Sequence, residues 1–374
     1  MFKTPLHVGA PNIGDREAFF ELANAMFDKR WLTNNGETVQ AFERQLEQYT
    51  GANHVICTCN GTRAIEVAAK ALELTGEVIM PASTFIASAH ALSWVGLKPV
   101  FCDIDDSFCI DPDHVEALIT ENTTAILGVH LYGRICNNDA LQYIADKYNL
   151  KLFYDAAHAF GCSRNGIMAG NFGECEIFSF HATKYFNTFE GGAIATNDPE
   201  LAERIRLIIN FGFADTDTVV TLGTNAKMNE VCAAMGMVNL QMIDSLKETG
   251  RRNYEAYKNH IDLIDGLDLL TFPEEEANNW QYIVVMVQEN YPLTRDELIQ
   301  KLEAHNVLAR RYFWPGCHHM APYSGSAEIG NDPLINTEKL NTGVICLPTG
   351  TAVTTESIDA VAGLLKTASE PATR

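Results

Sequence analysis

The sequence predicts an α/β fold: a large domain with a mostly parallel seven-stranded sheet flanked by helices, followed by a smaller C-terminal α+β domain. Three observations lead there. Short runs rich in β-branched and aromatic residues recur seven times between His54 and Thr196. Stretches with helical spacing separate several of them, and a parallel strand pair needs a connection of that length. After about residue 245 the alternation ends, and one strand-like run remains among helices. The expected division is 1–245 for the large domain, N-terminal arm included, and 246–374 for the small one.

In chain order, the residues through Ala10-Pro11-Asn12-Ile13-Gly14 read as an extended arm. Asp15 can cap a helix running to about Arg30, and Trp31 to Gly36 forms a turn. Val39, Phe42, Leu46 and Tyr49 then fall at helical spacing. Strands are expected at His54–Cys57, Val78–Met80, Pro99–Ile104, Ala125–His130, Lys151–Asp155, Cys175–Phe180 and Gly192–Thr196. Helices are expected at Thr62–Leu74, Ser83–Val95, Pro112–Thr120 and Asn138–Tyr148, and again from Asp198-Pro199 through Ile209. A Gly/Thr/Asp-rich loop from Gly212 to Thr224 suggests mobility or an excursion to a partner. One long helix is expected over Asn229–Thr249. The small domain should hold helices at Arg251–Ile261, Thr294–His305 and Glu356–Ser369, with a strand at Tyr282–Val287.

Composition narrows the function. A formal net charge of −21 argues against a nucleic-acid binder, because phosphate backbones call for a basic footprint. The ten cysteines are scattered, without paired CxxC motifs, and several sit in apolar strand-like runs. That pattern suggests free thiols in a reducing compartment and no structural zinc. The N-terminus lacks a signal-peptide core and no apolar run reaches membrane-spanning length, so a cytoplasmic protein is expected.

The chemistry gathers at strand ends, where α/β sheets bind ligands. Lys184 lies in Ser179-Phe180-His181-Ala182-Thr183-Lys184, with Glu190-Gly191-Gly192 following. A fixed, partly desolvated lysine with small neighbours suits condensation with an aldehyde, and points to pyridoxal phosphate (PLP) held as a Schiff base. On its own the stretch is also an ordinary strand-to-helix turn. Asn60-Gly61-Thr62 could seat a phosphate on a helix N-terminus, with Ser179 as a second contact, or could simply be an N-cap. Phe85 could stack on a flat ring or be core. Asp155 ends a buried strand and needs a partner; a protonated pyridine nitrogen suits it. His158, three residues on, could reach the ring's phenolic oxygen or be structural. Asp155, Glu190 and Lys184 form a further acid–base set, with Lys184 as proton carrier. Asn225 could reach a phosphate, across a dimer interface. Arg310, Tyr312 and His318 lie in a stretch dense in cations and aromatics that suits a nucleotide diphosphate and base. The His318-His319 pair has no second ligand cluster at metal spacing, so no metal is expected.

Over nearly its whole length the chain resembles the DegT/DnrJ/EryC1/StrS sugar aminotransferases, PLP enzymes of fold type I. The resemblance rests on Gly36, Phe42-Glu43, Asn60-Gly61-Thr62, Gly128 to Gly133, Asp155 to Gly161, Ser179 to Lys184 with Glu190-Gly191-Gly192, and Asn225 to Met228. It implies that Lys184 carries the cofactor and Asp155 pairs with its ring nitrogen. It further implies that Gly61, Thr62 and Ser179 hold the phosphate, that Phe85 stacks on the ring, and that Asn225 comes from the neighbouring subunit of a homodimer. His158 stands where most members have Gln, Asn60 where most have Ser, and Ala226-Lys227 where an arginine or tyrosine is common. These forms are similar to the branch making 4-amino-4,6-dideoxy sugars on a thymidine diphosphate carrier. Lys184 itself argues against the family's dehydratase branch, which carries histidine there.

The function so implied moves an amino group from L-glutamate to C4 of a nucleotide-linked 4-keto-6-deoxy sugar. Two alternatives stay open: an aminotransferase acting on a 3-keto nucleotide sugar or an aminocyclitol precursor, and a non-enzymatic regulatory protein that kept the fold. Loss of Lys184 or Asp155 would mark the latter, and both are present.

Overall fold

The computed structural model describes residues 2–273, 276–325 and 333–369. The arm opens with β1 (Leu6–His7) and leads to α1 (Arg16–Lys29), where Asp15 accepts hydrogen bonds from Glu17 and Ala18 N–H as the N-cap. Helix α2 (Glu37–Thr50) ends on Gly51 in the left-handed conformation, where a side chain would be strained. Strands and helices then alternate: β2 (His54–Thr58), α3 (Gly61–Ala71), β3 (Glu77–Pro81), α4 (Ile86–Trp94), β4 (Lys98–Cys102), α5 (Pro112–Leu118), β5 (Thr123–Val129), α6 (Asn138–Tyr148) and β6 (Lys151–Asp155). A short hairpin, β7 (Ser163–Arg164) and β8 (Ile167–Met168), precedes β9 (Cys175–Ser179) and β10 (Gly192–Thr196).

The seven long strands form one sheet in the order β2-β10-β9-β6-β5-β3-β4. All run parallel except β10, which lies antiparallel between β2 and β9. The carboxyl ends of β2, β9, β6 and β3 therefore share one edge of the sheet. Both faces are covered, which is why each strand reads as a continuous apolar run. Along β6, Leu152 and Tyr154 enter one core and Phe153 the other.

Helix α7 (Pro199–Ile209) follows, capped by Asp198. The expected loop at 212–224 is an ordered hairpin: Phe213 bridges Val219, and Ala214 N–H donates to Thr218 O at 2.9 Å. The expected single helix over 229–249 is two, α8 (Glu230–Leu240) and α9 (Ile243–Ile261), broken at Gln241-Met242. Position 245, the expected boundary, falls in the first turn of α9.

The remainder holds β11 (Leu267–Leu269), β12 (Glu276–Ala277), β13 (Ile283–Val287), α10 (Arg295–Glu303), β14 (Val307–Leu308), α11 (Ile335–Gly343), β15 (Val344–Leu347) and α12 (Thr355–Ser369). Strands β11, β13 and β15 make an antiparallel sheet with its own core beneath α9, α10 and α12. The arm returns here, since β1 pairs in parallel with β14. None of the described helices is long and apolar enough to cross a membrane.

Candidate active site

Residues 180–191 link β9 to β10 at the shared carboxyl edge, and they are held from every side. Phe180 N–H donates to Gly191 O and Thr188 N–H to Phe180 O, both at 2.9 Å. From the arm, Asn12 Nδ2 donates to Tyr185 O at 2.8 Å, and Asn187 Nδ2 returns a bond to Asn12 O at 2.9 Å. Tyr185 OH donates to Phe160 O at 2.8 Å. Lys184 is thus carried on a segment with little freedom. Its amine makes no hydrogen bond or ion pair with the described residues. Loss of surrounding water pulls its pKa from 10.5 down to about 8, against the opposing pull of the Asp155 carboxylate.

Asp155 ends β6, next to β9, and is buried. Its Oδ2 accepts from Ser88 Oγ at 2.7 Å and its Oδ1 from Ala157 N–H at 3.0 Å. His158 is buried too. Its Nδ1 accepts from Tyr132 N–H at 3.3 Å, and its Nε2 lies 3.1 Å from Tyr282 OH. Both ring nitrogens are therefore engaged within the protein. Phe313 stacks on the ring with centroids 5.7 Å apart, and Tyr282 tilts against it at 4.6 Å. Burial first, then the Lys184 charge, pushes the His158 pKa well below 6.5, so the ring is neutral.

Across β10, Asn60 caps α3 by accepting from Arg63 N–H at 2.8 Å. The N–H groups of Gly61 and Thr62 in that first turn donate to none of the described residues, which leaves them for an anion. Gly61 lies against Ser179: a Cβ on Gly61 would sit 3.0 Å from that of Ser179. Gly192 is opposite both Thr58 and Ser179 in the sheet, and a Cβ there would lie 2.7 Å from Gly61 N. Glycine at 192 is what lets the lysine-bearing connection come this close to the helix start.

Phe85, the N-cap of α4, is 56% exposed and tilts against Phe313, with ring centroids 5.8 Å apart. It borders a cavity of about 620 Å³ that Arg310, Arg311, Tyr312 and Trp314 also line. Arg310 lies over the Tyr312 ring at 5.4 Å, and Arg311 over Trp314 at 4.2 Å. Glu190 stands at the surface, 3.5 Å from His181 Nε2. Asn225 is exposed and bridges Asn210, and the next carbonyl, Ala226 O, accepts from Cys59 N–H at 2.7 Å. That contact sets Asn225 beside the strand end leading into α3. His318 departs from expectation. It is buried, bonded to Glu338, and lines no part of the cavity.

Residues 14–366 match the family described as DegT/DnrJ/EryC1/StrS aminotransferases. The chain belongs to this family. The aminotransferase is 36% identical to a dTDP-4-amino-4,6-dideoxy-D-glucose transaminase of Shigella dysenteriae, covering 97% of this chain and 98% of the relative. It is 35% identical to an Escherichia coli protein of the same name, over 96% and 97%. Among solved structures, DesI in the presence of its TDP-sugar product superposes with a TM-score of 0.94 at 44% identity, covering 98% of this chain and 94% of that one.

Sequence reasoning missed four residues that touch the candidate site residues. Tyr132 lies inside the Gly128–Gly133 stretch, and Phe313 inside the cationic-aromatic cluster, so both had a signal. Tyr282 lies just before β13 of the second sheet. Ser88 looks like any small residue in an apolar helix, and nothing local marks it as the Asp155 partner.

Proposed function

We propose that this aminotransferase uses PLP to move an amino group from L-glutamate to C4 of dTDP-4-keto-6-deoxy-glucose, giving dTDP-4-amino-4,6-dideoxyglucose. One observation carries the reading. A desolvated amine, Lys184, stands with a buried carboxylate, Asp155, and a phosphate-sized cradle at Gly61, Thr62 and Ser179 on one sheet edge. The cradle fits the cofactor, because a side chain at 61 or 192 would fill it. When bound, PLP supplies an aldehyde for nitrogen and a cationic ring that withdraws electrons from the neighbouring carbon.

In this reading Lys184 would hold the cofactor and, once freed, would carry the proton at the substrate carbon. Asp155, fixed by Ser88, would face the ring nitrogen and keep it protonated. Neutral His158 would lie beside the ring's phenolic oxygen, and Phe85 would stack on the ring. Arg310 and Tyr312 sit in the cavity that would take the nucleotide diphosphate, with Glu190 at the rim. Residues 1–245 would hold the cofactor and 246–374 the far cavity wall. The exposed apolar hairpin at 212–224, with Asn225 at its base, supports a homodimer that shares its sites. Ten free thiols, nine of them buried, support a cytoplasmic enzyme.

Two measurements test this. Borohydride reduction of the PLP-loaded protein should leave one covalent pyridoxyl group, on the Lys184 peptide; a label elsewhere overturns the cofactor assignment. Turnover with L-glutamate should favour the 4-keto over the 3-keto nucleotide sugar, with NMR placing nitrogen on C4. Nitrogen on C3 would instead support the alternative substrate class.

A further inference from the structure

The short 3-10 turn Cys317–His319 and the first half of α11 bring together three side chains that lie 19 and 20 residues apart in sequence. His318 Nε2 lies 2.8 Å, and His319 Nε2 2.6 Å, from the same carboxylate oxygen, Glu338 Oε1. All three ligand atoms fall within 4.8 Å of one another, the one such group among the described residues. The cluster lies outside the PLP site and outside the cavity lining. From the structure we infer that His318, His319 and Glu338 form a binding site for a zinc-class divalent transition metal.

Four observations support it. First, the two limbs are held in place without the His–Glu contact. Cys317 N–H donates to Ala82 O at 2.8 Å, while Asp103 accepts from Asn336 and Thr337 N–H at 3.0 and 2.7 Å at the start of α11. Such independent support preorganises ligands. Second, a neutral imidazole offers Nε2 to a metal only when Nδ1 carries the proton. His318 Nδ1 is buried and accepts from no donor among the described residues, so none of them locks the opposite tautomer. His158 differs, since Tyr132 N–H fixes its Nδ1 as acceptor. Third, His318 is buried while the side chains of His319 and Glu338 are 50% and 45% exposed. Water can therefore complete a fourth position, and the two outer ligands have room to spread to the roughly 3.3 Å separations of a tetrahedral site. Fourth, two imidazoles and one carboxylate select zinc and its neighbours over magnesium or calcium, which favour all-oxygen sets. Other histidine–carboxylate pairs here, such as His130–Glu176 and His260–Asp359, gather a single imidazole and remain ordinary ion pairs or hydrogen bonds.

A metal here would clip α11 to the segment that continues through Met320 into the cavity wall. The test uses the PLP-loaded enzyme. After dialysis against ZnCl2, mass spectrometry of bound metal should give one zinc per chain, and CoCl2 should give the visible bands of a four-coordinate nitrogen/oxygen site. His319→Ala and Glu338→Gln, both at half-exposed positions, should each weaken zinc binding by at least about tenfold, while His260→Ala should leave it unchanged. No zinc in the wild type, or undiminished binding in either variant, overturns the site. Should a variant fold poorly, zinc protection of His319 against diethylpyrocarbonate in the wild type supports the site instead, and modification unaffected by zinc overturns the proposal.

Discussion

With its amine pulled down to about 8, Lys184 is roughly one-tenth neutral at pH 7, several hundred times more than an ordinary lysine. Uptake of PLP by the cofactor-free protein should therefore quicken about tenfold per pH unit and level off near pH 8. A stopped-flow rate that keeps climbing to pH 10 would contradict that. His158 makes an opposite kind of contribution. Burial and the nearby Lys184 charge hold its folded pKa well below 6.5. Below that pH the unfolded chain binds a proton that the folded chain refuses. Stability from this group is thus complete above about 6.5 and falls on acidification, by about 1.4 kcal/mol per pH unit. Urea unfolding near pH 7 and pH 5.5 should show a shallower loss in His158→Gln than in the wild type. Asp155 and Lys184 were legible in the sequence because each breaks a local rule: a carboxylate ending a buried strand, and a lysine among small residues. Ser88 breaks none, and its role exists only once α4 lies over β6.

Among the elements, β10 fits tightly against backbone. A Cβ on Gly192 would meet Asn60 C, Gly61 N and Phe178 O at 2.7 to 2.8 Å, all backbone atoms that no side-chain rotation can move. Gly192→Ala should cost about 1–3 kcal/mol and weaken PLP retention on dialysis; wild-type behaviour in both measurements would refute the close approach. The positions of the seven strands could be read from sequence because burial on both faces leaves continuous apolar runs. Their order could not. That β10 runs antiparallel between β2 and β9 depends on pairing between residues 54–58 and 192–196, which no local window contains. The break at Gln241-Met242 was hidden for a related reason. Both halves keep helical periodicity, and the chain turns where neither residue is a breaker. Glu338 escaped notice as a partner of the histidines because it lies 19 and 20 positions further along the chain.

At the scale of the molecule, the hairpin at 212–224 is one exposed apolar surface, with Val219, Val220 and Leu222 56%, 57% and 85% exposed. If it seats on a second subunit, Leu222→Asp should shift light-scattering mass from dimer towards monomer and lower activity with it. An unchanged mass would separate the hairpin from assembly. Composition had pointed to an excursion here but could not distinguish a floppy loop from a built one, since bonds such as Val220 N–H to Gly212 O leave no mark on residue type. The strand order also has a consequence for biosynthesis. Among the described strands β2 pairs with β10 alone, so the sheet is not complete until residue 196 has left the ribosome. Until then a hydrophobic N-terminal strand waits with its edge unpaired, the state in which chains aggregate or recruit chaperones. The event that ends this exposure also draws Gly192 against Gly61 and sets the phosphate cradle beside Lys184, so a nascent chain becomes able to hold its cofactor only as it ceases to be a liability.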